Sequence, residues 1–318
     1  MCYSAMVRAE HRDYERLFNA KISIDDYVRL FWERSQGAPH KTPKAMDDAF
    51  MSPRNDAERK IRDLISAHRE QEAHRLQQEL FAQSKRLADA QRKQQAKVTK
   101  SASESARIAA DKIARAKTRL ADLERTAAKE GDARIYPGVY APVLVVEDGE
   151  RVIKPMRYQC RPCGKPAAYD RKYPGTYNAR RDNLEGFWRG QFGLTHGIVL
   201  ATAFYEHVAR HAVEGRELRE GEVEESIVLE FRPRPRHDML VACLWSKWSA
   251  PGEPDLLSFA AITDDPPPEV AAAGHDRCII PIKPENLDDW LRPSNRLDDQ
   301  YAILDDRDRP FYEHRMAA

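Results

Sequence analysis

The sequence has almost no net charge: 52 Lys and Arg stand against 51 Asp and Glu over 318 residues. A whole-protein field that draws in nucleic acid is thereby excluded, and an anion site must be a local patch. No apolar run approaches the ~20 residues that a helix needs to cross a bilayer, and no secretory hydrophobic region opens the chain. The five cysteines, Cys2, Cys160, Cys163, Cys243 and Cys278, are odd in number. They do not read as a disulfide framework, and the expectation is a reduced, soluble, cytoplasmic protein with no membrane partner. Proline and glycine are missing altogether from Asp56 to Glu130, which excludes a succession of tight turns there.

That stretch is rich in Ala, Arg, Lys, Gln and Glu. Its apolar residues, Ile61, Leu64, Ile65, Leu76, Leu80 and Leu87, are spaced by threes, fours and their sums, the period of a helix. The spacing predicts a first helix of about 40 residues, roughly 60 Å long. The pattern weakens at Val98–Thr99–Lys100, and Ser101-x-x-Glu104 reads as a capping box opening a second helix. That helix carries Ile108, Ile113, Leu120 and Leu123 and ends at Gly131. Two such helices joined by a turn predict an antiparallel hairpin. Residues 54–130 hold 19 Lys and Arg against 12 Asp and Glu, leaving 33 against 39 elsewhere. The apolar stripe is thin and mostly Ala. The plain reading is a solvated arm, with self-association, a protein partner or phosphate contact as its uses.

Around the arm the grammar differs. Tyr3–Val7 is apolar enough for a strand, and Ser23 or Asp25 can cap a helix carrying Tyr27, Val28, Leu30 and Phe31. Pro43 and Pro53 punctuate the polar connection to the arm. Beyond the arm, Tyr140–Val146, the turn Glu147–Glu150 and Arg151–Ile153 read as a β-hairpin, continued by Pro155–Tyr158. Further strands are expected at 197–203, 226–231, 239–245 and 256–262, with helices near 183–187 and 284–291. Many short strands and few helices predict an α+β domain built on a barrel-like sheet.

Cys2 is the first candidate for chemistry. A small side chain at position 2 is expected to let Met1 be trimmed, leaving an α-amine and a thiol on one residue. Reference pKa values of about 7.7–8.0 and about 8.5 leave part of each nucleophilic near neutrality. The amine can capture an aldehyde as a Schiff base, and the thiolate can then close a five-membered thiazolidine. Ring closure is intramolecular, where effective molarities of roughly 10⁵–10⁸ M are reached.

Three later stretches stand out: Tyr177–Asn178–Ala179–Arg180, Ala203–Phe204–Tyr205–Glu206, and His275–Asp276–Arg277–Cys278 followed by Ile279–Ile280–Pro281. The ordered set Cys2, Asn178, Arg180, Glu206 and His275 resembles the SOS-response-associated peptidase (SRAP) family, whose members form covalent adducts with abasic sites in single-stranded DNA. The resemblance covers the first few residues and about 135–295, and leaves the helical arm as an insertion at 54–131 within one domain spanning 1–318. It implies a barrel-type β domain and a lyase-like, self-cleaving DNA-damage protein that is nucleoid-associated when bound to abasic single strands. By resemblance Cys2 is the nucleophile, Asn178 holds the N-terminus, Arg180 contacts phosphate, Glu206 moves protons and His275 assists on the sugar oxygen. Such roles suit a reaction in which a closed hemiacetal must open before an aldehyde exists. They also suit an arginine fork facing phosphate.

The chain departs from the family pattern in places. Gly-Arg-Phe after the cysteine is Tyr3–Ser4–Ala5 here, so an arginine is missing at Ser4. Arg-Trp-Gly is Arg157–Tyr158–Gln159, the Trp after the glutamate is His207, and the Met after His-x-Arg is Cys278. Tyr158, Tyr177 and Trp188 are candidate stacking surfaces for bases, or core. Cys160-x-x-Cys163 could join His207 and His211 around zinc or act as a redox pair, but reads first as an unligated loop, so neither metal nor cofactor is assigned. Cys278 beside His275 suggests a thiol peptidase, although replacing an apolar Met points to packing. The alternatives to the crosslinking function are a passive scaffold working through its arm and a true thiol peptidase using Cys2 and His275.

Overall fold

A computed structural model describes residues 3–294 and 296–317. The chain divides into two compact units. One takes in the chain up to Leu30, Pro39–Ser52 and everything from Glu130 onward; the other takes Phe31–Ala38 and Pro53–Lys129. The opening elements are β1 (Ser4–Val7), α1 (His11–Phe18), β2 (Lys21–Ile22), α2 (Ile24–Ser35) and α3 (Lys44–Asp48). Ser23 rather than Asp25 opens α2: its carbonyl accepts the Asp26 N–H and its hydroxyl donates to the Asp26 carboxylate at 2.6 Å.

The second unit is dominated by a helical hairpin, α4 (Asp56–Ala96) and α5 (Lys100–Glu124). Helix α4 is 41 residues long and capped by Asn55, whose side chain accepts the Glu58 N–H at 2.9 Å. The cap of α5 lies two residues before the expected one. Thr99 Oγ1 accepts the Ala102 N–H at 3.2 Å, so Ser101 is already helical. Arg86 donates to Ser105 and Gln94 to Ser103, which sets the two helices antiparallel. Leu76 and Ala90 are buried on α4, and Ala102, Ala109 and Ala116 on α5. The seven-residue spacing of those alanines is a coiled-coil seam, and their small side chains let the backbones approach closely. Replacing Thr99 with Ala removes the cap of α5 and should cost the hairpin about 1 kcal/mol, read as a lower melting temperature by far-ultraviolet circular dichroism.

The first unit continues through β3 (Arg134–Ile135), β4 (Tyr140–Glu147), β5 (Glu150–Tyr158), α6 (Tyr169–Lys172), β6 (Asn178–Arg180) and β7 (His196–Ala209). Then come α7 (Arg210–Val213), β8 (Ser226–Arg234), β9 (Met239–Ala250), β10 (Glu253–Asp264), α8 (Pro268–Ala272) and β11 (Cys278–Ile279). The chain closes with β12 (Pro281–Ile282), α9 (Leu287–Leu291), α10 (Leu297–Asp305) and β13 (Phe311–Met316). Strands β4, β5, β10, β9 and β7 pair in a closed ring, each antiparallel to its neighbours except β5 with β10. This is an α+β fold with a β-barrel and a long helical hairpin.

Closure demands close packing. A Cβ on Gly197 would lie 3.0 Å from Val143 and 3.2 Å from the Cys243 sulfur, so any larger residue there would have to push its neighbours aside by a few tenths of an ångström. Leu144, Ile198, Leu244 and Ile262 form one core with Trp188, Phe192 and Trp290. His196 is buried in it, stacked on Trp290, with both ring nitrogens engaged by the backbone of Trp290 and Gly193. Burial drives its pKa down to about 3, so it is a neutral core residue.

Several elements differ from the sequence reading. β7 runs on to Ala209, because its second half leaves the ring to pair with β1 and β8. Residues 184–187 form turns and not a helix. A 3-10 turn, Arg181–Asn183, is followed by turns, and Asn183 accepts the Phe187 N–H at 3.0 Å. Near 284–291 a 3-10 turn precedes the short α9. His207 lies on β7 and His211 on α7, so the two histidines do not share a helix.

On the β8–β13 side, Glu230 is buried and is held by Arg232 at 2.6 Å, the Tyr205 hydroxyl at 2.7 Å and Arg315. Burial alone would raise its pKa, but these three partners outweigh burial and hold it at about 2. A depressed folded pKa stabilises the protein above the unfolded value and loses that contribution as pH falls. Wild type should therefore lose stability between about pH 4.5 and about pH 2. Glu230→Gln, less stable near neutrality, should show a flatter profile in urea titrations across that window.

Candidate active site and nucleic-acid interface

Strand β10 assembles one side of the site. It lies first between β5 and β9, then between β6 and β11. Ala261 faces Asn178 and Thr263 faces Arg180 across the parallel β6 pairing, while Asp264 faces Cys278 on the other edge. Strand β7 assembles the other side. Its outer half pairs with β1, Ser4 opposite Tyr205, which brings the start of β1 within one residue step of Glu206. Cys2 itself lies outside the described residues.

Glu206 is fully buried, and its carboxylate is 3.1 Å from His275 Nε2. His275 follows Gly274, which turns the chain with φ of +89° after α8. His275 Nδ1 is 2.9 Å from the Arg277 carbonyl. The Arg277 N–H also reaches Nδ1, at 3.3 Å, so this nitrogen is held by the Arg277 backbone while Nε2 faces Glu206. Glu206 and His275 thus form a buried carboxylate–imidazole pair sheltered from water.

Asn178 is buried on β6, and neither amide atom has a hydrogen-bond partner among the described residues. The same holds for the hydroxyls of Thr176 and Thr263 nearby. A buried amide left unsatisfied costs free energy unless something else completes it. Arg180 is exposed and forked onto Asp182, at 3.0 and 2.5 Å. Asn178 and Arg180 line one shallow hollow of about 360 Å³, together with Lys172 and Asn183. A phosphate there would compete with the Asp182 carboxylate for the arginine.

Tyr3 joins the two sides. Its ring meets Tyr177 at 6.4 Å, His207 at 5.3 Å and Tyr136 at 5.8 Å, each edge-on. Tyr177 in turn meets Tyr158, which stacks on Phe259. Tyr158, Tyr177 and Trp188 are all buried, whereas Tyr3, Tyr136 and, in the hollow beside Arg180, Tyr173 are exposed. The accessible ring surface is therefore supplied by three tyrosines not read from the sequence as stacking surfaces. Only their neighbours in space distinguish them from ordinary surface tyrosines.

Arg134, on β3, is the cation closest to this cluster. Its guanidinium donates to Ser4 Oγ at 3.0 and 3.1 Å and lies 3.6 Å from the Tyr205 ring centroid and 5.0 Å from that of Tyr136. It thus stands against the position where the family pattern carries an arginine and this chain carries Ser4. Gln159 is a second departure. Its φ is +115°, a region that glycine takes readily and that costs other residues about 1–3 kcal/mol. The family has glycine there. The conformation is held by the Gln159 N–H on Phe259 and by Arg157 on the Gln159 carbonyl.

The remaining cysteines do not join the site. Cys278 is buried, its thiol is pushed up by burial and by the nearby Glu206 charge, and it is hydrogen-bonded with Tyr312. A thiol so shielded is a packing group, not a nucleophile. Cys160 is buried, with its pKa pushed up to about 12, while Cys163 is exposed. Among the described residues no three His, Cys, Asp or Glu side chains converge as a metal site.

The model of the SOS response associated peptidase (SRAP) family matches residues 89–316. The chain belongs to that family. The match begins inside α4 and takes in α5 and nearly all of the chain beyond. SRAP membership ties the protein to the response to DNA damage. A solved protein from Bordetella bronchiseptica is similar at 17% identity, over 58% of this chain and 87% of its own, with a TM-score of 0.46. One from Bacteroides thetaiotaomicron is similar at 16% identity, over 58% and 78%, with a TM-score of 0.46. No curated protein matches the SRAP chain. Among the described residues no helix is long and apolar enough to cross a membrane.

Proposed function

We propose that this protein captures abasic sites in single-stranded DNA as a covalent thiazolidine on Cys2, after Met1 has been removed. The observation that carries the reading is the buried Glu206–His275 pair, set beside the strand on which the N-terminus enters. The abasic sugar is mostly a closed hemiacetal. Opening it needs one proton delivered to the ring oxygen and another taken from the anomeric hydroxyl. His275 is the group to protonate the ring oxygen, and Glu206 the group to receive the hydroxyl proton.

The α-amine of Cys2 then adds to the aldehyde carbon, and water leaves to give the Schiff base. The thiolate adds to the same carbon, the imine nitrogen takes a proton, and the ring closes. Nothing is oxidised or reduced. Asn178, with its buried and unsatisfied amide, is suited to hold the N-terminal backbone. Arg180, Arg134 and the Tyr3–Tyr136 rings are suited to hold the phosphates and bases on either side of the lesion. On this reading residues 1–318 form one SRAP domain with 54–131 inserted, acting in the cytoplasm and on the nucleoid when bound.

The experiment is a denaturing gel with an abasic-site oligonucleotide. Wild type should give a shifted band that survives denaturation. Equal bands from wild type and Cys2→Ala would overturn the mechanism.

A further inference from the structure

The arm carries charge that the DNA-damage chemistry does not use, and that charge is not spread evenly. Residues 85–107, the tip of the α4–α5 hairpin, hold seven Lys and Arg against two Asp and Glu. The rest of 54–130 holds 12 against 10. Along the shafts Arg59 is matched to Asp56, Arg75 to Glu72 and Glu79, and Arg125 to Asp122, while Lys112, Arg115 and Lys117 of α5 are exposed without a carboxylate partner among the described residues. At the tip Arg92 and Arg107 are matched in the same way. Lys85, Lys93, Lys97 and Lys100 are exposed and have no carboxylate partner among the described residues.

The tip also has a shape. A hollow of about 430 Å³ lies between the helices, walled by Lys85, Arg86 and Lys93 of α4 and by Ser101 and Ser105 of α5. Asp89 on its wall is paired with Arg92. The hollow thus offers ammonium, guanidinium and hydroxyl donors together.

We propose that the hairpin tip is a contact for the sugar-phosphate backbone of DNA, separate from the site at Cys2 and blind to sequence. The proposal rests on the DNA-directed reading above. Several ammonium groups and hydroxyls suit phosphate oxygens. Residues 85–107 contain no aromatic side chain, so the tip cannot stack bases, and it positions without reading. A lipid surface fits less well. The seam residues Leu76, Ala90, Ala102, Ala109 and Ala116 are consumed inside the hairpin. Val98 is the one large apolar side chain exposed at the tip among the described residues, whereas an interfacial helix needs a continuous apolar face.

The test uses the full chain and a variant with Lys85, Lys93, Lys97 and Lys100 all changed to Gln, with its helix content checked by circular dichroism. Affinity for a long undamaged single-stranded oligonucleotide is measured across a salt series. Withdrawing four ammonium groups from the phosphates should reduce the slope of log K against log salt by roughly 3, with binding at least about tenfold weaker at low salt. An unchanged slope overturns the proposal. So does an unchanged slope combined with weakened binding to phosphatidylglycerol vesicles or to inorganic phosphate, which would assign the tip to those ligands instead. Covalent capture of a short abasic oligonucleotide reports on Cys2 separately. If capture fails in wild type while the slope still changes, the chemistry proposed for Cys2 falls and the tip contact stands.

Discussion

Changing Cys2 to Ala should remove the denaturation-resistant adduct while leaving a weaker, reversible one. Ala is as small as Cys, so removal of Met1 should proceed and an α-amine should remain. That amine can still form a Schiff base with the opened sugar. Without the thiol no ring closes, and the imine hydrolyses when the protein is denatured. The stabilisation at stake is an intramolecular addition with an effective molarity of roughly 10⁵–10⁸ M. Borohydride should therefore rescue a band for the Ala variant by reducing the imine, and should be unnecessary for wild type. A stable band from the variant without reductant would place the bond elsewhere. Intact-mass measurement belongs beside this experiment: retained Met1 blocks the amine and rules the ring out.

The second large effect is expected at Glu206. Glu206→Gln keeps the volume of a fully buried side chain and removes its ability to exchange a proton. Adduct formation under single-turnover conditions should slow by about 10²–10⁴-fold, the usual contribution of a positioned acid–base group. His275→Ala should slow it comparably, and the double variant should be little worse than either single one, because the pair at 3.1 Å acts as a unit. The melting temperature separates lost chemistry from lost fold. A wild-type rate for Glu206→Gln would show that the sugar opens without this carboxylate.

Periodicity accounts for what was legible at a distance. The arm reads clearly because a helix depends on contacts three and four residues apart, and between Asp56 and Glu124 the helical pattern is interrupted at residues 97–99 alone. Its caps read less well. Thr99 and Ser101 carry equivalent hydroxyls, and only the backbone turn decides which one meets the Ala102 N–H. The β-hairpin of β4 and β5 was legible for the same local reason. Helix α10 and strand β13 were not, since β13 is a strand only because β8 offers it an edge. The extension of β7 through Glu206 and His207 likewise depends on β1 and β8, which are far away in the chain.

The candidate site divides along the same line. Residue types and their order sufficed to pick out Cys2, Asn178, Arg180, Glu206 and His275, because the family pattern is written in one dimension. They did not reveal Arg134, which is 130 residues from the Ser4 hydroxyl it binds, nor that Tyr3, Tyr136 and Tyr173 are exposed. They left Tyr158, Tyr177 and Trp188 open as stacking surfaces or core, and packing buried all three. By itself, then, the sequence determined the helical arm, the α+β class and the inventory of reactive groups, since these follow from local spacing and side-chain chemistry. Which of those groups meet, which are buried, and which cation stands beside Ser4 were decided by closure of the barrel, because strand pairing brings together residues whose separation along the chain carries no information about their distance in space.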